Sequence, residues 1–204
     1  MSERDENQDE PQGGPGDLNE EVTELSRLAV ETARDATAFL ATVREMAAGT
    51  SSEYAIPVLL LASTQMLAAG ARLGAIHDIV PAERYEADPG ADVDIDPLRQ
   101  GLVNLFDGLD DYAHVVDPLL GVEVASGSLS NDLAEIASAL THGLQHYEAG
   151  RVSEALWWWQ FSFLSSWGDA ATSVVRVLLA VLGHIRLDAD EDLVSEAEFD
   201  ALHP

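Results

Sequence analysis

Residues 152–182 read VSEALWWWQFSFLSSWGDAATSVVRVLLAVL, the longest apolar stretch of the chain and the one that holds all four tryptophans, Trp157, Trp158, Trp159 and Trp167. At about 100° per residue, its polar and small side chains (Ser162, Ser165, Ser166, Asp169, Ser173, Arg176) fall on one narrow stripe. Phe161, Phe163, Leu164, Trp167, Val174, Val175, Leu178 and Leu179 lie on the apolar remainder. The pattern predicts one continuous helix in the middle of a bundle, packed on three sides. Asp169 and Arg176 interrupt the run, so a membrane span is not expected. Three consecutive Trp cover about 200° of a helix and cannot share a face. Extending the polar stripe backwards from Ser162 reaches Trp158, then Glu154 and Arg151, which places Trp158 at a rim with Trp157 and Trp159 turned inward. Gln160 points the other way, towards Trp167 and Leu164, and a buried amide there must find hydrogen bonds.

Working outward, four more helices are expected. Leu18 to Ala48 carries apolar residues at helical spacing (Leu18, Val22, Leu25, Ala29, Ala36, Phe39, Val43, Met46), with Asp17 or Asn19 to cap it and Gly49 to end it. Thr50-Ser51-Ser52-Glu53 matches a capping box and opens a second helix near Tyr54–Ala75, with Pro57 in its first turn. That helix is apolar almost all round, and its Ala and Gly residues permit close backbone approach. Ile76 to Ile95 has no helical period and reads as a long acidic loop with room for a short helix at Pro81–Tyr85. A third helix is predicted from an Asp96 N-cap and Pro97, with the stripe Leu98, Leu102, Leu105, Leu109, Tyr112 and Val116, ended by Pro118. Ser130 caps a fourth, with the stripe Leu133, Ile136, Ala137, Leu140, Leu144 and Tyr147, closed by Gly150. No strand-like alternation of useful length stands out. The expected fold is an all-α, single-domain bundle of five to six helices spanning 17–186, between a disordered acidic tail (1–16) and an acidic C-terminal segment (187–204).

Composition narrows the function. The chain has 204 residues, no Cys, and 37 acidic against 10 basic side chains, all ten of them Arg. Without Cys there is no disulfide framework, thiolate zinc site or Cys nucleophile. A formal charge of −27 repels phosphate, which argues against direct binding of nucleic acid or an anionic membrane. Most of that charge sits at the two ends and in the 77–98 loop, leaving the bundle nearer neutral. The N-terminus has no apolar core of a signal peptide, so a cytoplasmic location is expected.

The run Trp157-Trp158-Trp159-Gln160-Phe161-Ser162-Phe163, followed by Ser166-Trp167-Gly168-Asp169, resembles the bacterial family known as domain of unknown function DUF5063. The likeness spans about Leu18 to Ile185, with its specific part in this one helix. It implies a helical, cytoplasmic protein and supplies no activity. Where the family carries His on either side of the Trp-Gly pair, this chain has Ser166 and Asp169 or Ala170. An alanine-rich, lysine-free composition is that expected of an actinobacterial member.

Few residues suggest chemistry. Asp107, Asp110, Asp111 and His114 would share the third helix at spacings that can hold a metal, but on its solvent side. His142 and His146, with Glu135 before them, lack the zinc-protease pattern and lie away from the fourth helix's core stripe. Asp92-Val93-Asp94-Ile95-Asp96 starts like a calcium loop, but Pro97 and Val103 occupy the positions that require Gly and Glu. Tyr147 to Leu156 resembles a single tetratricopeptide turn without repetition. No phosphate loop, nucleophile elbow or cofactor motif is readable. The leading reading is therefore a non-enzymatic interaction module for a basic protein partner. Its contact surface would be the Trp158 rim or a polar groove formed by Ser162, Ser165, Asp169 and Arg176. A metal- or small-ligand-binding bundle, the reading that leaves room for an enzyme, is the alternative. An acidic DNA mimic that regulates a basic DNA-repair protein is the third.

Overall fold

A computed structural model describes residues 15–49, 52–81, 90–91, 93–117 and 119–187. The acidic tail up to residue 14, the proposed short helix at Pro81–Tyr85 from 82 onward, and the acidic segment from 188 lie outside the described residues, as do Thr50 and Ser51 of the expected capping box. Helix α1 runs Pro15–Ala47, starting three residues before the expected Leu18. From Ala29 on its buried face, Ala29, Ala36, Phe39, Val43 and Met46, follows the predicted spacing, with Leu40 added; Val22, expected on that face, is exposed. Gly49, at φ +75°, provides the left-handed exit. Helix α2, Ala55–Gly74, is entered through a 3-10 turn, Ser52–Tyr54, and its N-cap Tyr54 makes no side-chain bond.

The expected third helix is half the predicted length. Helix α3 spans Asp96–Leu105 and stops at Phe106, because Gly108 adopts φ +77° two residues on. Its N-cap is Ile95, and Asp94 Oδ1 accepts a bond from Asp96 N–H. The remaining stripe residues do not continue a helix: Leu109 and Val116 are exposed, and Phe106 takes the buried position instead. Residues Asp111–Val115 form strand β1 and Val124–Ser128 form β2, paired antiparallel with Tyr112 opposite Gly127 and Val115 opposite Val124. The expectation of no strands is thus corrected by one hairpin.

Helix α4, Leu129–Glu148, is capped by Ser128, whose Oγ accepts from Asn131 N–H, rather than by Ser130. Gly150 (φ +76°) leads into α5, Val152–Ser162. A π turn, Phe163–Trp167, then joins α5 to α6, Gly168–Leu187. Gly168 N–H bonds to Phe163 O, five residues back, and a Cβ on Gly168 would stand 2.5 Å from that oxygen, so glycine is what lets the turn close.

The axis persists, but the extra residue turns everything beyond it by about 100°. The single polar stripe therefore does not exist. Ser162 and Ser173 are buried, whereas Ser165, Asp169 and Arg176 are exposed, as are Phe161, Leu164 and Leu179. By length and composition α2 and the α5–α6 unit could each cross a membrane; a third of each apolar window is buried inside the fold.

Two tryptophans fix how these helices meet. Trp159 is fully buried, donates from Nε1 to Leu140 O of α4 (3.3 Å), and lies against Gly143. Trp167 is fully buried, donates to Ser162 Oγ (3.1 Å), and with Phe163 lies against Gly70 of α2. Gln160 is buried as expected. Its Nε2 donates to Leu73 O (2.9 Å) and His77 O (3.2 Å), and its Oε1 accepts from Ile79 N–H (2.9 Å). One side chain thus satisfies the last turn of α2 and anchors the strand of chain leaving it.

Candidate functional site

The hairpin is joined to the helical body at its base. Asp110, just before β1, accepts from Ser128 Oγ (2.9 Å), Ser130 N–H (2.7 Å) and Ser130 Oγ (2.7 Å), so its carboxylate sits on the N-terminus of α4, where the helix dipole favours negative charge. One strand residue further, Tyr112 reaches across β2. Its ring lies over Gly127, where a Cβ would stand 2.3 Å from Cζ, and its hydroxyl donates to Asp132 of α4. From α6, Arg176 Nη2 donates to Ala113 O (3.3 Å), and its guanidinium stands 5.8 Å from the centre of the Tyr112 ring. Ser173, also on α6, faces the same phenol. Ser166 Oγ donates to Glu135 one turn along α4.

This seam holds the two strongly shifted ionisable groups. Burial pushes the Asp132 carboxyl up to about 6; the Tyr112 hydroxyl and His114 act against the shift, while Glu135 and Asp169 add to it. Tyr112 is pushed up to about 12, first by burial and then by its bond to Asp132, with Ser173 and Arg176 opposing. His114, also on β1, has Nδ1 buried with no hydrogen-bond partner.

The structure brings together residues that the sequence kept apart. His114 came from the proposed metal set, and Asp169 and Arg176 from the proposed groove; His114 and Asp169 now face Asp132, which sequence reasoning missed, and Arg176 stands over the Tyr112 ring bonded to it. The metal set itself does not assemble. Asp107 and Asp110 lie in the turn before β1, Asp111 and His114 fall on opposite faces of the strand, and Asp110 is occupied as a helix cap. Among the described residues no three His, Asp or Glu side chains are placed to hold a metal ion. His146, expected away from the core, is fully buried, and His142 packs its ring 4.0 Å from that of Trp158. Trp158 is half-buried, donates to Ala139 O (2.9 Å) and stands at the edge of a cavity of about 410 Å³ that Val93 and Gln145 also line. A larger cavity, about 730 Å³, lies between α1 and the α4–α5 junction and includes neither shifted group.

Beyond the seam the hairpin projects. Val116 N–H bonds to Glu123 O (2.9 Å), and Asp117 staples the tip, its Oδ1 accepting from Leu119 N–H (2.8 Å) and its backbone oxygen from Leu120 and Gly121 N–H (3.2 Å each). Next to these bonds Leu119, Leu120 and Val122 remain 92%, 87% and 89% exposed.

Comparison with known proteins agrees with the fold. The family described as Domain of unknown function (DUF5063) matches residues 23–184, and the chain belongs to that family. The crystal structure of protein BF1032 from Bacteroides fragilis is similar, with a TM-score of 0.60 at 17% identity over 79% of this chain and 94% of that one. A comparison with curated proteins gives no match.

Proposed function

We propose that this family member is a non-enzymatic protein-interaction module in which the helical body carries the β1–β2 hairpin, and the hairpin tip docks into an apolar slot on a basic partner. The observation that carries the reading is the pairing of the hydrogen bonds that Asp117 accepts from Leu119, Leu120 and Gly121 with three apolar side chains left almost wholly in water. Soluble domains rarely leave such side chains clustered without a use. Burying two Leu and one Val would yield about 6 kcal/mol before the cost of association, enough for reversible binding but not for a permanent complex. Asp117 and Glu123 flank the tip and the whole chain carries −27, which suits a partner with a basic rim. Trp158 and the Ser162–Arg176 stripe are not part of this surface, since the first is engaged with His142 and Ala139 and the second is split by the π turn.

The test compares the wild-type chain with the Leu119→Asp/Leu120→Asp double variant as bait in crosslinked extracts. A species captured by the wild type, lost with the variant at unchanged helix content and released by raised salt, supports the reading. Capture that survives the double substitution refutes it.

A further inference from the structure

The hairpin is held to the body through a short polar seam, and one member is an ionisable carboxyl half-removed from water. The groups that face Asp132 come from every element around it: Tyr112 and His114 from β1, Glu135 from its own helix, Asp169 from α6, with Arg176 of α6 set over the Tyr112 ring. Ionised, Asp132 brings a third negative charge beside Glu135 and Asp169, balanced by one phenol hydrogen bond and by His114. Protonated, it loses that repulsion and keeps a hydrogen bond with Tyr112, with a proton of its own to donate.

We propose that protonation of Asp132 latches the β1–β2 hairpin onto α4 and α6, so that proton uptake sets how firmly Leu119, Leu120 and Val122 are presented to the partner. The consequence for binding rests on the hairpin being the docking element; the latch itself does not. With the hairpin lifted away, Asp132 returns to water and to its ordinary value of 3.8, against about 6 in place. The docked form therefore binds the proton more tightly, and docking strengthens as pH falls through about 6. Between about pH 8 and about pH 5 the gain is about three- to tenfold, the lower figure allowing for solvent screening at a half-buried site.

The experiment is hydrogen exchange of backbone amides in the full chain near pH 8 and near pH 5, corrected for the intrinsic pH dependence of exchange. In the wild type, β1 and β2 amides gain about three- to tenfold protection at the lower pH while those of α1 and α2 do not follow. Asp132→Asn, neutral at both, shows high hairpin protection throughout. Equal wild-type protection at both pH values overturns the proposal. So does a gain spread equally over α1 and α2, which would be global stability. So does a dependence that persists in Asp132→Asn, which would place the switch on another group. Should Asp132→Asn fail to fold, His114→Gln decides instead: a wild-type pH dependence that survives it supports the latch, and one that vanishes with it overturns the proposal. The two readings fail separately, because capture that survives Leu119→Asp/Leu120→Asp removes the docking role and leaves the exchange result standing.

Discussion

Gly143 and Gly183 both lie inside helices, and the structure predicts opposite outcomes for the same substitution. A Cβ on Gly183 meets nothing within 4 Å, so Gly183→Ala keeps only the intrinsic helical advantage of alanine, about 1 kcal/mol. A Cβ on Gly143 would stand 2.0 Å from Trp159 Nε1 and 2.4 Å from its Cδ1. The indole cannot step aside freely: it is fully buried, bonded to Leu140 O, and has the Tyr147 ring 6.2 Å away. Overpacking of that severity costs about 3 kcal/mol, so the helical gain is outweighed and Gly143→Ala loses about 2 kcal/mol net. For a chain of this size that is a midpoint about 4–8 °C lower, against about 2–4 °C higher for Gly183→Ala. Thermal unfolding followed by circular dichroism and tryptophan fluorescence reads both. If Gly143→Ala were as stable as Gly183→Ala, Trp159 would not rest on α4, and the account of how α5 docks would be wrong.

Gln160→Leu keeps the volume and removes the polar atoms, leaving Ile79 N–H and Leu73 O buried without their partner; a loss of about 2–4 kcal/mol is expected, with cleavage by limited proteolysis appearing first in the chain that leaves α2. Tyr112 governs the alkaline limb of stability. Its folded value of about 12 lies above the ordinary 10, so the phenol's contribution is complete below about pH 10 and lost as pH rises towards 12. Tyr112→Phe should lack that decline, and denaturation profiles from neutral to strongly alkaline pH that coincide for the two chains would contradict the burial of the phenol.

Much of the helical frame was legible because its signals are local and mutually consistent. In α1 the apolar period, the Gly49 exit and the solvent face agree, and the boundary falls within three residues of expectation. Gln160 was legible for another reason: an amide in an apolar stretch must be satisfied, whatever its partners are. What failed was the assumption of one unbroken wheel over residues 152–182. A π turn adds a residue without breaking the helix or changing its composition, so apolar periodicity on both sides looks intact while the phase between them slips. Ser162 and Ser165 show the slip directly, one bonded inside to Trp158 O and Trp167, the other outside. Gly168 was the only local trace, and its need is set by the approach of Phe163 O rather than by any pattern.

The candidate site was hidden by a coincidence of periods. Leu105, Leu109, Tyr112 and Val116 are spaced four, three and four apart, which fits a helix, yet Asp111 to Val115 also alternates outward and inward with the period of two that a strand requires. Over five residues the two templates cannot be separated by hydrophobicity, and the deciding feature is Gly108, whose left-handed backbone ends α3 before the stripe can continue. Once the segment is a strand, His114 leaves the face it was expected to share with Asp111, and Tyr112 crosses Gly127 to reach Asp132, twenty-one residues beyond the last acid of the supposed metal set. The same switch takes Asp117 out of the expected last turn of a helix and makes it the acceptor for the turn that follows. The shifted carboxyl and the apolar tip are therefore products of one local decision, and any substitution that restores the helix at Gly108 would remove both together.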